Sequence, residues 1–320
     1  MPYLIGTDEA GYGPNLGPLV IAATVWRVSC EPGDCDLYKQ LRRLVTRKTS
    51  DPSTNRWTIA DSKEVYKAGQ GLRILERNVL AAVAAMQKSA ETCRALWQAL
   101  DPQAFEQLNG LPWHETHLAS LPLEEDVTEI AKLGEHISNG LQQAEVELVA
   151  IGATAIFPAR FNALVDQYGS KGEALSRATL QLIGRVLEQC DCEPTIISCD
   201  KHGGRGKYQR LLQEQFPDPL IEVVCEGLLE SIYRWGPSTA RFEARFRAKG
   251  ETFLPTALAS MTAKYLRELA MHAFNGYWQK QVDGLKPTAG YPTDARRFKL
   301  DIASVQASLG IDDRILWRCR

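Results

Sequence analysis

The sequence lacks most of the features that would assign a protein to a specialised class. Its 320 residues carry a formal net charge of −2, so binding of nucleic acid would need a local basic patch. It contains no apolar run of about 18 residues, and a membrane span is therefore not expected. Met1-Pro2-Tyr3 leads directly into an apolar run, which predicts no secretion signal and favours a cytoplasmic location.

Cysteine and histidine are present but do not fall into metal-binding patterns. None of the eight cysteines forms a Cys-x-x-Cys pair, and no histidines are spaced as zinc ligands. His114 and His117 share a Pro-containing loop without further partners nearby, which favours a loop or surface role. Cys199 and Cys225 lie in apolar surroundings, Cys199 in Ile196-Ile197-Ser198-Cys199 and Cys225 after Val223-Val224. We therefore expect buried free thiols in a reducing compartment.

Apolar periodicity alternates between strand and helix spacing without a repeat, which is typical of an α/β protein with a mixed sheet. The short apolar run 194–200 predicts a buried central strand. Other predicted strands lie at 146–152, 221–226, 231–235 and 315–317. Helical spacing is found over 37–48, about 71–87, about 172–189, about 255–278 and near Ala303.

Residues 92–143 differ from their surroundings. They combine helical segments with a Pro/His-containing loop, and we interpret them as an inserted helical subdomain. The main domain would then consist of residues 1–91 and 144–320.

Two adjacent carboxylates, Asp8 and Glu9, follow the apolar run Tyr3-Leu4-Ile5-Gly6 and precede a Gly/Pro-rich segment. Neighbouring side chains of a strand point to opposite faces. Both acids can reach one site only if the chain leaves the strand at Glu9, which the glycines that follow permit. The repulsion between the two charges suggests a cation between them, although a solvated acidic turn is the commoner explanation of such a pair.

Asp61 and Asp200 also end strand-like runs, and strand ends are where sites lie in sheets of this class. Converging Asp and Glu oxygens suit Mg²⁺ or Mn²⁺. Two such ions would clamp the attacking and leaving oxygens of a phosphoryl transfer. For Asp61 alone, capping of a loop is the simpler interpretation.

Five short motifs, in this order, resemble those of the type 2 ribonucleases H, the family of ribonucleases HII and HIII. The first is Asp8-Glu9-Ala10-Gly11-Tyr12-Gly13-Pro14 with the following Gly17-Pro18-Leu19-Val20-Ile21-Ala22-Ala23. The others are Asp61-Ser62-Lys63, the apolar strand ending in Asp200, Ala259-Ser260-Met261-Thr262-Ala263-Lys264-Tyr265-Leu266-Arg267-Glu268, and Gly290-Tyr291-Pro292-Thr293. The resemblance covers most of residues 1–90 and 146–320.

This resemblance implies a ribonuclease H-like mixed sheet flanked by helices. To this fold we expect the chain to add a helical insertion at 92–143, which has no counterpart in the family pattern, and a C-terminal helical extension. It also implies hydrolysis of the RNA strand of RNA–DNA hybrids, or cutting at ribonucleotides embedded in DNA. Two Mg²⁺ or Mn²⁺ ions would be held by Asp8, Glu9, Asp200 and Glu268. Substrate would be contacted at the ribose by Gly11, Tyr12 and Gly13, at the neighbouring sugar or base by Tyr291, and at phosphates by Lys63 and Lys264.

Three positions depart from the family pattern. Tyr12 replaces an Arg or Lys, so a cation beside the substrate is missing. Glu268 replaces an Asp and is one methylene longer, and Pro292 replaces a Gly and stiffens the turn at Tyr291. The loop His202-Gly203-Gly204-Arg205-Gly206-Lys207 could supply replacement cations and a phosphate cradle, but it is equally typical of a turn before a helix.

Two alternatives to the endonuclease remain open at this level. The chain could be a non-catalytic nucleic-acid-binding module that kept the fold. It could also be a ribonuclease H-fold nuclease for another structured nucleic acid, with residues 92–143 determining specificity. The enzyme is favoured because all four predicted ligands are carboxylates, which a decayed site would not need.

Overall fold

The computed structural model describes residues 1–31, 33–48, 55–66, 71–88, 90–115, 119–248 and 250–319. These residues form a seven-stranded sheet of strand order β5-β2-β1-β6-β9-β8-β7 and a small two-stranded sheet of β3 and β4. The strands are β1 Tyr3–Ala10, β2 Leu19–Val28, β3 Val45–Thr46, β4 Trp57–Thr58, β5 Val146–Ile156, β6 Thr195–Asp200, β7 Glu222–Glu226, β8 Glu230–Trp235 and β9 Phe242–Arg247.

Strand directions in the large sheet are mixed. The strands β1, β2 and β5 are antiparallel neighbours, whereas β6 runs parallel to both β1 and β9. Strand order β5-β2-β1-β6-β9 with these directions is that of a ribonuclease H-like sheet, and the hairpin β7–β8 extends it at the β9 edge. The predicted fold class is confirmed.

Helices cover both faces of this sheet. They are α1 Leu37–Gln40, α2 Ser62–Val65, α3 Arg73–Ala85, α4 Cys93–Leu100, α5 Pro102–Leu108, α6 Pro112–Glu115, α7 Val127–Gln143, α8 Pro158–Tyr168, α9 Lys171–Leu187, α10 Gln209–Gln215, α11 Leu254–Gln281, α12 Pro292–Ser308 and α13 Asp313–Leu316. One apolar core joins the sheet to α11, and a second joins the opposite face to α9. Within β1, Leu4 belongs to the α11 core and Ile5 to the α9 core, as strand alternation requires.

The long helix α11 approaches β1 without a side chain between the two backbones. A Cβ atom on Gly6 would lie 2.1 Å from the backbone N of Thr256 and 2.2 Å from the carbonyl carbon of Pro255. The hydroxyl of Thr24 donates to the Pro255 carbonyl at 2.8 Å. Glycine at position 6 is therefore required by space.

Several elements predicted from the sequence differ from the structure. Strand β9 was not predicted, although Phe242–Arg247 alternates charged with uncharged residues as a half-buried strand does. The prediction of a helix over 37–48 is wrong beyond α1, since the chain turns and enters β3. The strand predicted at 315–317 is also wrong: Asp313–Leu316 is helical, and Trp317 makes one isolated bridge with Leu16.

The segment 92–143 is helical, as expected, and it packs onto the main core. Leu96, Trp97 and Leu133 are buried in the same cluster as α11. The buried carboxylate of Asp101 accepts from the backbone N–H of Ala155 in β5 at 2.6 Å. The status of residues 92–143 as a separate subdomain stays a prediction. His117, one of the two histidines of the predicted loop, lies outside the described residues.

The prediction that the cysteines are buried free thiols holds for only some of them. Cys199 is a buried free thiol, and burial raises its pKa to about 12. Cys225 is exposed on β7, so the prediction of burial there is wrong. Cys30 and Cys35 form a disulfide, contrary to the expectation of free thiols. The cytoplasmic location stays a prediction, and no helix in the described ranges is long and apolar enough to cross a membrane.

The contact at Gly6 generates a stability prediction. Gly6→Ala should destabilise the fold by about 3 kcal/mol or more, because the new methyl group meets backbone atoms that cannot move independently. Gly276→Ala is the matched control, since a Cβ there meets nothing within 4 Å and alanine is favoured in a helix interior. Urea denaturation of both variants measures the difference. Equal stabilities would contradict the packing described.

Candidate active site

Asp8 and Asp200 occupy equivalent positions on neighbouring parallel strands. The last paired residues of β1 and β6 are Thr7 and Cys199, so Asp8 and Asp200 follow at the next register position on a common face of the sheet. Asp8 is only 8% exposed, and the Oδ1 of Asp200 accepts from the backbone N–H of Gly250 at 3.2 Å. The predicted convergence of these two acids is thus supported by the strand register.

Glu9 lies differently from the expectation. Strand β1 continues through Ala10, and Glu9 is paired with Ile21 of β2, so the prediction that the chain leaves the strand at Glu9 is wrong. Alternation places Glu9 on the face opposite Asp8, toward α9. Burial and the negative charge of Glu9 raise the pKa of Tyr12, which identifies Tyr12 as a near neighbour of Glu9. The acid pair is therefore divided between the two faces.

Glu268 lies on the α11 face of the sheet, and its carboxylate accepts hydrogen bonds from two side chains. Its Oε1 accepts from the Lys264 ammonium at 2.5 Å, and its Oε2 accepts from the Tyr66 hydroxyl at 2.9 Å. Lys264 also lies over the Tyr66 ring, 4.4 Å from the centroid. Burial and the charge of Glu268 raise the pKa of Tyr66, which keeps its hydroxyl a donor. The predicted residues Lys264 and Glu268 thus come together as an ion pair.

The second motif, Asp61-Ser62-Lys63, holds Tyr66 in place beside Lys264 and Glu268. Asp61 caps α2 by accepting from the backbone N–H of Lys63 at 3.0 Å, which is the simpler role considered for it. The hydroxyl of Ser260 on α11 donates to that of Ser62 at 3.0 Å. The short helix is thereby fixed against α11, with Lys63 exposed on it and Tyr66 directly after it.

The predicted ligands fit Mg²⁺ or Mn²⁺ in their chemistry, since all four are carboxylates. Their grouping is less complete than predicted. Over the residues that the structure describes, no three His, Cys, Asp or Glu side chains are arranged to hold a metal ion. Asp8 and Asp200 are neighbours, Glu268 is paired with Lys264, and Glu9 belongs to the other face. The four-carboxylate centre stays a prediction.

The glycine-rich segment after β1 forms an exposed surface together with Tyr291. Gly13 is exposed, and a Cβ on it would lie 3.9 Å from Cε1 of Tyr291. The backbone N–H of Asn15 donates to the Gly290 carbonyl at 2.7 Å, joining the two segments. Tyr291 is 57% exposed, so it is not a packed core residue and its ring is accessible to a ligand.

Arg267 links these segments, although no role beyond membership of a motif was predicted for it. The residue is 3% exposed. Its guanidinium donates to the carbonyl of Pro18 at 3.2 Å and to that of Ala289 at 2.9 Å. A Cβ on Gly11, whose φ is +89°, would lie 2.7 Å from Cδ of Arg267. The arginine therefore positions both the glycine-rich segment and the segment that carries Tyr291.

A basic cluster lies on the α9 face, where Glu9 and Tyr12 are found. It consists of Lys171, Arg177, Arg205 and Arg210. Glu173 pairs with the three arginines, at 3.3 Å to Arg177, 2.7 Å to Arg205 and 2.5 Å to Arg210. Burial raises the pKa of Glu173, but the hydrogen bonds from Arg210 and Arg205 outweigh it and hold that pKa below its usual value.

Comparisons with known proteins give limited information. No family model matches the chain, and no curated protein matches it. Among solved structures, it is similar to ribonuclease HII of Archaeoglobus fulgidus in a complex with PCNA, at 16% identity and a TM-score of 0.46, covering 99% of this chain and 94% of that one. It is also similar to ribonuclease H2 of Pyrococcus horikoshii, at 14% identity and a TM-score of 0.43, covering 98% of this chain and 92% of that one.

A third similar structure is Bst-RNase HIII in complex with Mn²⁺, at 15% identity and a TM-score of 0.40, covering 99% of this chain and 65% of that one. Because the three TM-scores are below 0.5, the ribonuclease H-like fold is assigned from strand order and direction.

Arg267 is expected to be essential for the arrangement of the site. Arg267→Met should lower the free energy of unfolding by about 2–4 kcal/mol, because two buried carbonyls lose their donor. The exposed Arg296 supplies the control, and Arg296→Met should change stability by less than about 0.5 kcal/mol. Chemical denaturation compares the two. A similar small loss in both variants would show that Arg267 does not hold the segments together.

Glu173 should contribute to the acid sensitivity of the fold. Because its pKa is lower in the folded protein than in the unfolded chain, its contribution is present above the unfolded pKa of about 4.5 and is lost as pH falls through the folded value. In Glu173→Gln, unfolding free energy should therefore decline less between pH 6 and pH 3 than in the parent. The exposed Glu188 provides the control as Glu188→Gln, for which a parent-like decline is expected.

Proposed function

We propose that the protein is a metal-dependent endonuclease that hydrolyses the RNA strand of RNA–DNA hybrids or cuts at ribonucleotides embedded in DNA. The observation that carries the proposal is the juxtaposition of Asp8 and Asp200 on adjacent parallel strands, on the face covered by the helix of Glu268. The five family-like motifs that supply these residues also supply Gly11, Gly13 and Tyr291 beside them.

Each group has a task in this proposal. Asp8 and Asp200 would hold a divalent ion on the α11 face, and Glu268 would complete the set on that face. Glu9 would join it only by reaching the end of β1 from the opposite face. When bound, Mg²⁺ or Mn²⁺ supplies an activated water and stabilises the leaving 3′ oxygen. The backbone of Gly11–Gly13 would lie against the ribose, where it can distinguish a 2′-hydroxyl from hydrogen. The exposed ring of Tyr291 would contact the adjacent sugar or base, and Lys63 would contact a phosphate.

The ion pair of Glu268 modifies the predicted role of Lys264. The Lys264 ammonium pairs with the Glu268 carboxylate and lies over the Tyr66 ring. Its contact in the protein without substrate is therefore with Glu268 and not with a phosphate. In the proposal, Lys264 and Tyr66 keep this carboxylate oriented in the absence of substrate. Contact of Lys264 with a phosphate remains part of the proposal.

The same ion pair favours a second candidate, the non-catalytic nucleic-acid-binding module. A carboxylate that already has a cation and a hydroxyl donor is satisfied without a metal ion. This candidate predicts hybrid binding that is independent of Mg²⁺ and is not followed by cleavage.

Cleavage of end-labelled duplexes separates the two candidates. With Mg²⁺ or Mn²⁺, we expect the purified protein to cut an RNA–DNA hybrid, or a DNA duplex with one ribonucleotide, and to leave all-DNA duplex intact. Asp8→Asn and Asp200→Asn should each lower the rate by at least about 100-fold. Asp283→Asn makes the same chemical change at an exposed position after α11 and should cut at the parent rate.

The outcomes assign the function. Absence of cutting by the parent protein with either metal would rule out the proposed enzyme, and metal-independent binding would then support the binding module. Structured RNA and DNA hairpins belong in the same substrate set. Cutting of these alone would transfer the proposal to a nuclease with another substrate.

A further inference from the structure

Lys171 is held over the ring of Tyr12, with its ammonium 4.7 Å from the centroid. Lys171 is the first residue of α9 and is exposed, whereas Tyr12 is half-buried in the segment after β1. In the described ranges no carboxylate forms an ion pair with Lys171. A cation over an aromatic face is attracted by the ring and still presents its N–H groups to solvent. Its ammonium is therefore positioned and available.

The glycine-rich loop after β6 closes around the same tyrosine. A Cβ on Gly203 would lie 3.2 Å from the Tyr12 hydroxyl, and one on Gly172 would lie 3.5 Å from it. Gly203 and Gly204 have φ values of +57° and +83°, which side-chain-bearing residues rarely adopt. Both glycines are exposed, so the backbone beside Tyr12 is open to a ligand.

This region is locally positive in a chain with a net charge of −2, since the four cations of the basic cluster exceed the neighbouring carboxylates Glu173, Glu214 and Glu9. The arginines of the basic cluster are paired with Glu173 and Glu214. Those pairs orient Arg205 next to Tyr12 but leave the cluster with excess cations, Lys171 among them. A local patch of this kind is what phosphate binding requires when the whole chain is near neutral.

We propose that Lys171, Tyr12 and the Gly203–Gly204 loop form a binding site for one phosphodiester group of the nucleic acid, on the Glu9 side of β1. Lys171 supplies the charge, the Tyr12 ring positions it, and the glycines leave room for the phosphate oxygens. The nature of the ligand rests on the proposed function. The site itself rests on the cation, the ring and the open loop, and it lies on the sheet face opposite Asp8 and Asp200.

Salt-dependent binding tests this site without depending on cleavage. Fluorescence anisotropy with a labelled RNA–DNA hybrid, over 50–300 mM KCl, gives the slope of log affinity against log salt in the Asp8→Asn protein. Loss of one phosphate contact should reduce the magnitude of that slope by about 0.7–0.9. In this background, Lys171→Gln is expected to show that reduction and about 3- to 10-fold weaker binding at 100 mM salt.

Lys280→Gln is the matched control. This exposed lysine lies 12 residues beyond Glu268 on α11, about 18 Å along the helix axis, and its loss should leave the slope unchanged. Thermal melting of both variants should match the parent, because both side chains are exposed. A Lys171→Gln slope equal to that of Lys280→Gln would overturn the proposal.

Tyr12 variants test the positioning role. Tyr12→Phe keeps the ring and should keep the parent slope of log affinity against log salt. Tyr12→Leu removes the ring and should reduce the magnitude of that slope. Lys171→Gln added to Tyr12→Leu should then have less effect than it has alone. A full Lys171 effect without the ring would show that Tyr12 does not position the lysine.

Failure of this site and failure of the proposed function give different results. A parent protein that binds hybrid but never cleaves it contradicts the endonuclease, while the slopes still decide the role of Lys171. A parent that binds neither hybrid nor single strand at 50 mM KCl contradicts both. Cleavage with an unchanged Lys171→Gln slope contradicts the phosphate site alone.

Discussion

Direct contact between the backbones of α11 and β1 determines where the candidate site can form. Gly6 meets the backbone of Thr256 at one end of the contact, and Gly11, directly after β1, meets the side chain of Arg267 at the other. Five residues of strand span about 16–17 Å, and eleven residues of helix span about the same length. The two elements therefore run side by side with matched lengths. This match brings Glu268 to the end of β1 where Asp8 lies, without any contact between the two carboxylates being needed to hold them there.

Local sequence predicts an element well when one periodicity dominates it. Thr195–Asp200 is a continuous apolar strand and was found to be central, and the buried apolar residues of α9, among them Leu175, Ala178, Leu182 and Val186, follow helical spacing. Strand β9 was missed although its alternation is typical of a half-buried strand, because its charged positions have partners that are remote in sequence. Glu243 pairs with Arg234 of β8, and Arg247 pairs with Glu230. These cross-strand ion pairs make charged positions suitable for a strand, and a single segment does not reveal them.

The distinction between features set by local sequence and features set by remote partners also applies to the candidate site. Asp8 and Asp200 were predictable because each belongs to a strand whose neighbours could be inferred. The face that Glu9 occupies depends on where β1 ends, which is decided by pairing with β2 as far as Ala10. The state of Glu268 depends on Tyr66, 202 residues away in sequence. Arg267 donates to main-chain carbonyls, and no side-chain pattern marks such acceptors.

The placement of Lys171 on one face of β1, and of Asp8 and Asp200 on the other, also bears on the departure at Tyr12. A chain that resembles the family but has tyrosine where an Arg or Lys is usual would lose a cation beside the substrate. Here the ring has a lysine from α9 over it, so the cation can come from another element while the aromatic residue supplies its support. The positive charge then belongs to the α9 face and the paired acids Asp8 and Asp200 to the α11 face. A strand bound across the end of β1 would meet both, and the near-neutral net charge of the chain would not oppose it, because only charges within about 8 Å act strongly at physiological salt.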